Sequence, residues 1–370
     1  MPGGDLEIEF RSGALTRCIF QPGALQRLGQ LCASVGFGGT GALVCDARLL
    51  ATPWREALLA LESTRLGAPI PRPVSEARKV LAEVEEICDA LSARGVQRDG
   101  FVVAVGGGVL TDLAGFAAAI YLRGVPWVSV PTTLLAQVDA GFGGKTGANL
   151  RSGKNLVGAF HQPRLVVCDA ALLTTLPARE RWSGLAEVVK CALLDPARDS
   201  SGVSFLDRCE RDLERAATGE TDALAPLIES CARYKADIVA RDEREGGMRA
   251  FLNLGHTVGH ALEAATGYAR FTHGEAVALG LRGTLWLSRA RGLIDEAALQ
   301  RASRLVARLK IAADRRLDEP ERSAVLAALA HDKKVRGGRV RFVLLKALGA
   351  PLVVEVEPQE CVRAVEASLA

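Results

Sequence analysis

Three of the chain's five histidines, His256, His260 and His273, fall within MRAFLNLGHTVGHALEA (248–264) and FTHGEAVALG (271–280). Imidazole is the commonest protein ligand for a transition metal. Two or three histidines with one carboxylate, leaving a coordination position open, is the pattern of a catalytic zinc centre. His256 and His260 are four residues apart, which sets both rings on one helical face, so spacing alone pairs them as ligands. No HExxH glutamate lies between them, which excludes the zincin arrangement, and the carboxylate must come from elsewhere. Glu187 in GLAEVVKCALL (184–194) is the acid that fits. Lys190 lies three residues on, on the same helical face among apolar neighbours, so this pair must face a cleft or be costly to bury.

A second chemistry is written in lysine. Of 46 cationic residues only nine are lysine and 37 are arginine. Yet Lys79, Lys145, Lys154, Lys190, Lys235, Lys333 and Lys334 gather around glycine-rich or acidic motifs, where compact ammonium charges suit phosphate or carboxylate. DAGFGGKTGANLRSGKNLVGAFHQP (139–163) holds six glycines and hardly any hydrophobic periodicity. It reads as an active-site loop whose Lys145, Lys154 and Asn155 hold anionic oxygens. It is not a Walker A loop, because Asp139 stands where that frame needs glycine. FVVAVGGGVLTDLAGF (101–116) is a strand, a glycine turn and a helix start, which offers backbone N–H groups to an anion. Asp46, closing GALVCD, suits a ribose-hydroxyl acceptor. Pro131-Thr132-Thr133 adds hydroxyls at the same sheet edge. Together these features point to a dinucleotide.

The elements that must position these residues divide into two kinds. GALVCD (41–46), FVVAV (101–105), WVSV (127–130) and RLVVCD (164–169) are short apolar runs bounded by Gly, Pro or Asp, with helical stretches between them. That is a largely parallel, doubly covered sheet. From about residue 180 the pattern turns to long Ala/Leu/Arg/Glu stretches at helical spacing. RVRFVLLKAL (339–348) reads as a late strand or short hairpin. The fold class is therefore α/β plus α: a Rossmann-like parallel-sheet domain over 1–176 and a mostly helical domain over 177–370, with the active site expected in the cleft between them. A length of 370 residues, 49% hydrophobic and 24% charged, excludes wholesale disorder. A net charge of +3 is no nucleic-acid signature. No apolar run reaches membrane-spanning length, and MPGGDLEIEF has no basic stretch leading into an apolar core. Nine scattered cysteines without a CxxC read as reduced, buried thiols of a cytoplasmic protein.

GGGVLTDLAGFAAA, YLRGVPWVSVPTTLLAQVDAGFGGKTGANL, GKNLVGAFHQP, GLAEVVK, DEREGGMRAFLNLGHTVGHALEA and HGEAVALG, in this order over about residues 41–350, resemble 3-dehydroquinate synthase, a sugar phosphate cyclase family. The resemblance implies zinc, or cobalt, on Glu187, His256 and His273, which overrides the pairing drawn from spacing. It implies NAD contacts at Asp46, Glu76, Lys79, Gly107, Gly108, Asp112, Thr132, Thr133, Leu135, Lys154 and Thr175. It implies substrate contacts at Asp139, Lys145, Asn155, Lys190, Lys235, Arg249, Asn253, His260 and one of Lys333 and Lys334, with Lys333 favoured. Arg123 of YLRG matches an arginine that reaches a partner's site, so a homodimer is implied. Two departures stand out: Ala47-Arg48 where members often carry a polar contact such as Asn, and a bulky Phe142 in DAGFGG.

The implied reaction converts 3-deoxy-D-arabino-heptulosonate 7-phosphate to 3-dehydroquinate and phosphate. It runs through transient oxidation by NAD, phosphate elimination, re-reduction and an intramolecular aldol closure, with no net oxidation. Arg249 and Lys145 would clamp the substrate carboxylate, while His260, Asn253, Lys333 and the partner's Arg123 would hold its phosphate. The alternatives are an aminodehydroquinate synthase, another sugar phosphate cyclase, or a metal-dependent polyol dehydrogenase. The presence of Arg249 and Asn253 favours the dehydroquinate reading over cyclases of carboxylate-free sugars, while an aminodehydroquinate synthase would keep both.

Overall fold

The computed structural model describes residues 5–199, 201–331 and 340–370. They form two compact units: one of residues up to 176 together with 219–244, the other of 177–218 with 245–370.

The first unit is built on a seven-stranded sheet in the order β1 (Leu6–Glu9), β2 (Leu15–Phe20), β9 (Leu165–Cys168), β6 (Trp127–Pro131), β5 (Phe101–Gly106), β3 (Gly41–Asp46) and β4 (Ile70–Arg72). Only the edge pair β1–β2 is antiparallel; every other pairing is parallel. β3, β5 and β6 are buried along their whole length, and their side chains alternate between two cores. Leu43, Cys45, Val103, Val105, Val128 and Val130 face one layer. Ala42, Val44, Val102, Ala104 and Trp127 face the other. Because the side-chain period of a strand is two, a strand covered on both faces must be apolar throughout, and that is how GALVCD and FVVAV read.

The 139–163 segment corrects its reading as an irregular loop. It folds into an antiparallel hairpin of β7 (Lys145–Leu150) and β8 (Gly153–Phe160), packed against the Gly108–Ile120 helix. Gly147 faces Gly158 across the pair. A Cβ on Gly147 would lie 2.4 Å from the Val157 carbonyl oxygen, and one on Gly158 2.0 Å from that of Thr146. The glycines thus serve close cross-strand approach rather than looseness.

The helix Thr221–Arg241 belongs to this first unit, although the division at 176/177 assigned it to the second. It packs on β1 and on the turns Ala136–Ala140 and Ala170–Thr175. Its amphipathic pattern shows that it buries a face, not which one.

The second unit is helical, with Ala178–Leu194, Phe205–Thr218, His256–Ala265, His273–Ala290, Glu296–Ala307, Glu319–His331 and Pro358–Leu369, plus the hairpin β10 (Val340–Ala347) and β11 (Ala350–Val356). Its core gathers Val258, Leu262, Leu279, Phe342, Leu344, Val356 and Val365. Among the described residues no helix is long and apolar enough to cross a membrane.

Candidate functional site

Three helices of the second unit bring the acid and the imidazoles together. The Ala178–Leu194 helix ends at Asp195-Pro196, since the residue before a proline is pushed out of helical geometry. Glu187 lies near its middle and is fully buried. Gly255, at φ 79°, caps the helix that opens with His256. Thr272 caps the helix that opens with His273: its side chain accepts from Glu275 N, while the Glu275 carboxylate accepts from Thr272 N at 2.8 Å. Both ligand-type histidines are therefore the first residues of their helices. Close approach of these helices depends on two glycines. A Cβ on Gly274 would lie 1.9 Å from the Ser183 carbonyl oxygen, and one on Gly280 1.9 Å from that of Gly255.

The result is a tight group. Glu187 Oε1 stands 3.5 Å from His256 Nε2 and 3.4 Å from His273 Nε2. Ligands held at about 2.0–2.1 Å around a tetrahedral zinc ion lie roughly 3.3–3.4 Å apart, so these separations fit a metal. Both Glu187 carboxylate oxygens are buried and neither accepts a well-formed hydrogen bond, although Lys190 Nζ lies 2.6 Å from Oε2. A buried anion in that condition suits a cation. Burial alone would raise the Glu187 carboxyl, but Lys190 and the two imidazoles outweigh it and hold the pKa well below the usual range. Burial, with Lys190 adding to it, keeps His256 far below its ordinary value, a neutral ring with a lone pair to give. His273 is half-buried; desolvation opposes its charge, but the Glu187 and Glu263 carboxylates beside its two ring nitrogens outweigh that and raise it to about 10.

His260 is exposed and stands outside this group. Its donor atom joins those of Glu263 and His273 in a second set within 4.8 Å of one another. Lys190 is buried and donates to the Leu252 carbonyl at 2.7 Å. Arg249 is buried on the Met248–Asn253 turn. Asn253 donates to Glu245 Oε1 at 3.3 Å. Lys333 and Lys334 lie outside the described residues.

The first unit gathers the other residues. Gly107 caps the Gly108–Ile120 helix directly after β5. Thr132 donates its N–H to the Gly106 carbonyl at 2.9 Å, the Thr133 hydroxyl accepts from Ala136 N, and Leu135 precedes the Ala136–Ala140 turn. Lys79 Nζ lies 2.5 Å from Asp112 and 2.6 Å from Asn155 Oδ1. Asn149 donates to Glu76 at 2.8 Å and accepts from Asn155 N, while Lys154 approaches Glu76 at 3.6 Å. Lys235 donates to the Asp139 carboxylate and carbonyl, each at 2.6 Å. Burial raises the Asp112 carboxyl against the pull of Lys79, and the charge of Lys235 is also felt there. Thr175 accepts from Trp54 Nε1 at 3.2 Å. Lys145 opens β7 on an exposed position.

Asp46 caps the Ala47–Ala51 turn, and Arg48 lays its guanidinium on the same carboxylate at 2.6 Å. The unexpected Ala47-Arg48 thus engages the acid read as a ribose acceptor. Phe142 is buried and stacks on Phe20 at 6.5 Å. Arg123 is exposed in a turn where both Leu122 (φ 51°) and Arg123 (φ 66°) are left-handed.

Three polar residues of these clusters escaped the sequence reading. Asn149 was hidden in a segment read as a loop. Glu245 precedes the Gly246-Gly247 turn, and its contact with Asn253 depends on a left-handed φ of 60°. Glu263 lies three residues after His260 and seven after His256, so helical spacing did carry its signal.

Solved structures with this fold include a 2-deoxy-scyllo-inosose synthase complexed with carbaglucose-6-phosphate, NAD+ and Co2+, at a TM-score of 0.86 and 25% identity over 98% of this chain and 99% of that one. A 2-epi-5-epi-valiolone synthase of Streptomyces hygroscopicus, with NAD+ and Zn2+ bound, superposes at 0.80 with 29% identity over 100% and 99%. The family models for the 3-dehydroquinate synthase N-terminal and C-terminal regions match residues 70–183 and 184–335. The 3-dehydroquinate synthase of Citrifermentans bemidjiense is 43% identical over 89% of each chain. That of Nitrobacter winogradskyi is 47% identical over 91% of this chain and 88% of its own. The chain belongs to the 3-dehydroquinate synthase family.

Proposed function

We propose that this chain, acting in the cytoplasm, converts 3-deoxy-D-arabino-heptulosonate 7-phosphate to 3-dehydroquinate and phosphate. The carrying observation is the buried Glu187 carboxylate with two imidazole nitrogens 3.4 and 3.5 Å from one oxygen, in a chain of this family. Glu187, His256 and His273 would hold Zn2+ or Co2+. Asp46, Glu76, Lys79, Gly107, Gly108, Asp112, Thr132, Thr133, Leu135, Lys154 and Thr175 would hold NAD. When bound, the metal supplies a Lewis acid for the substrate hydroxyls and NAD takes up and returns one hydride, so no oxidation is left at the end.

The chain's own residues do the rest. Gly107 and Gly108 open a helix whose free N–H groups and partial positive charge suit the dinucleotide's pyrophosphate. Arg249 offers a rigid fork for the substrate carboxylate, and Lys145 is a further cation of the proposed contact set. Asn253, His260 and Asn155 supply hydrogen bonds. Lys190 and Lys235 hold positive charge beside Glu187 and Asp139, favouring the negative charge that develops as C5 is oxidised and phosphate leaves. The departing phosphate can itself take the C6 proton, so no side chain is assigned as that base.

A homodimer in which Arg123 of one copy serves the other copy's substrate completes the reading. It is supported by the exposure of that side chain and by the left-handed backbone that presents it, a geometry that costs energy and tends to persist where it is used.

The deciding experiment follows phosphate release from the heptulosonate phosphate with NAD and Zn2+ while recording NADH absorbance. Phosphate release without net NADH, stopped by a chelator, is the expected result. No phosphate release with zinc bound would point to an amino-substituted or carboxylate-free substrate. Steady NADH accumulation would mean a polyol dehydrogenase.

A further inference from the structure

We propose that Glu263 is a positioning residue of the metal centre: its carboxylate accepts the Nδ1 proton of His273 and thereby leaves Nε2, which faces Glu187, to ligate the metal. The proposal rests on reading Glu187, His256 and His273 as metal ligands. Glu263 Oε2 lies 3.3 Å from His273 Nδ1, while Glu187 Oε1 lies 3.4 Å from Nε2 of the same ring. A neutral imidazole carries one proton, so the partner of one nitrogen decides whether the other is a ligand. His256 is held in the same sense by a different acceptor: its Nδ1 meets the Leu254 carbonyl oxygen at 3.1 Å while its Nε2 faces Glu187 Oε1. Both rings are thus anchored through Nδ1 and present Nε2 to one oxygen.

The two anchors are not equivalent. A backbone carbonyl is neutral and cannot be lost by substitution, whereas Glu263 brings a charge. Its side chain is mostly buried on the His256–Ala265 helix, where a carboxylate is costly unless hydrogen-bonded. Metal binding takes the place of the proton on His273 Nε2, and the two carboxylates, Glu187 and Glu263, are then the acidic groups that balance a divalent cation. An amide at 263 would leave one. Carboxylate anchors of this kind make the imidazole a stronger donor and hold its ring against rotation.

The geometry also permits a rival, a second cation held by His260, Glu263 and His273, whose donor atoms lie within 4.8 Å of one another. The rival needs Nδ1 of His273 as a ligand and not as a donor, so stoichiometry separates the two.

The test strips the full-length protein of metal and titrates it with Zn2+ against a chelating dye, then repeats the loading with Co2+ for its visible spectrum. Wild type should take up one Zn2+. Glu263→Gln, which keeps shape and removes charge, should retain the far-ultraviolet dichroism of wild type and bind about 10–100-fold more weakly. Its Co2+ bands should shift, and Glu263→Asp should recover part of the loss. In zinc-loaded wild type, nitrogen NMR of the His273 ring should report a protonated Nδ1, a reading that needs no variant to fold. Unchanged affinity and spectrum in folded Glu263→Gln, a protonated Nε2, or two Zn2+ per chain would each overturn the proposal alone. Wild type that takes up no Zn2+ would overturn the metal reading beneath it.

Discussion

The chain carries two clusters of charge that handle burial in opposite ways. Around Lys79 the charges answer one another: Lys79 meets Asp112 and Asn155, and Asn149 meets Glu76 and the Asn155 backbone. Around Glu187 they converge, with one ammonium and two imidazoles directed at a carboxylate whose oxygens accept no well-formed hydrogen bond. The first cluster is partly open to solvent, with Lys154 and Glu76 at 31% and 42% exposed. The second is more enclosed, with Glu187 and Lys190 at 0% and 1% exposed though His273 reaches 27%, so removing Glu187 leaves a buried ammonium without its anion. A site that exchanges a large cofactor suits the first design, and a centre that keeps one ion suits the second.

The comparison breaks most sharply at Glu187. Glu187→Ala should abolish stoichiometric zinc uptake and turnover. By leaving Lys190 buried beside no anion, it should also destabilise the fold by about 3–5 kcal/mol, read from urea unfolding. Gly274→Ala comes next. A methyl 1.9 Å from the Ser183 carbonyl must push apart the helices bearing Glu187 and His273, at about 1–3 kcal/mol, with weaker zinc binding as the distinguishing mark.

Lys79→Ala should act on the other cluster only. Calorimetry should show NAD affinity falling by at least about tenfold, as loss of a charge-assisted hydrogen bond worth about 1.5–3 kcal/mol implies, while zinc stoichiometry stays at one. A fall in zinc content there would erase the distinction between the clusters.

The smallest effect lies at Glu83, a buried carboxylate gripped by Arg72 at 2.9 Å and by Arg78. Burial would raise its pKa, but the two guanidinium partners lower it. The sign follows from that depression. Its contribution is present above the unfolded carboxyl pKa, about 4.3, and is lost as pH falls through the folded value. Glu83→Gln should therefore be less stable than wild type at neutral pH, and the gap should close on acidification.

How much of this was legible varied with the physics of each segment. β3, β5, β6 and β9 declared themselves because strands covered on both faces must be continuously apolar. The helix of Glu187 was equally plain, and so was the ion pair with Lys190, since side chains three apart on a helix meet. The hairpin β7–β8 was not. Its Gly147–Gly158 pairing is a relation between strands, and glycine looks the same in sequence whether it loosens a loop or lets two backbones touch. At the histidines spacing and structure select different groups: spacing joins His256 to His260 within one helix, while the structure sets His256 and His273, the first residues of two helices, against Glu187 of a third. The engagement of Asp46 by Arg48 was invisible for a related reason, because a two-residue spacing does not say that the guanidinium turns back onto the acid.

The path of the backbone has a consequence of its own. The chain leaves the sheet unit at 176, returns for 219–244 and departs again. No single cut can therefore divide the protein into two self-sufficient halves. A fragment starting at Pro177 would carry the Thr221–Arg241 helix without β1 and the turns that cover it, leaving Leu224, Leu227, Ile228, Cys231, Ile238 and Val239 without their partners. The complementary fragment would have a bare strip where that helix belongs and would lack Lys235 for Asp139. Each half alone would be sticky and incomplete. Gene fusions, insertions and permutations should therefore be tolerated at surface turns within a unit, such as the one at Gly202, and rejected at the apparent seam.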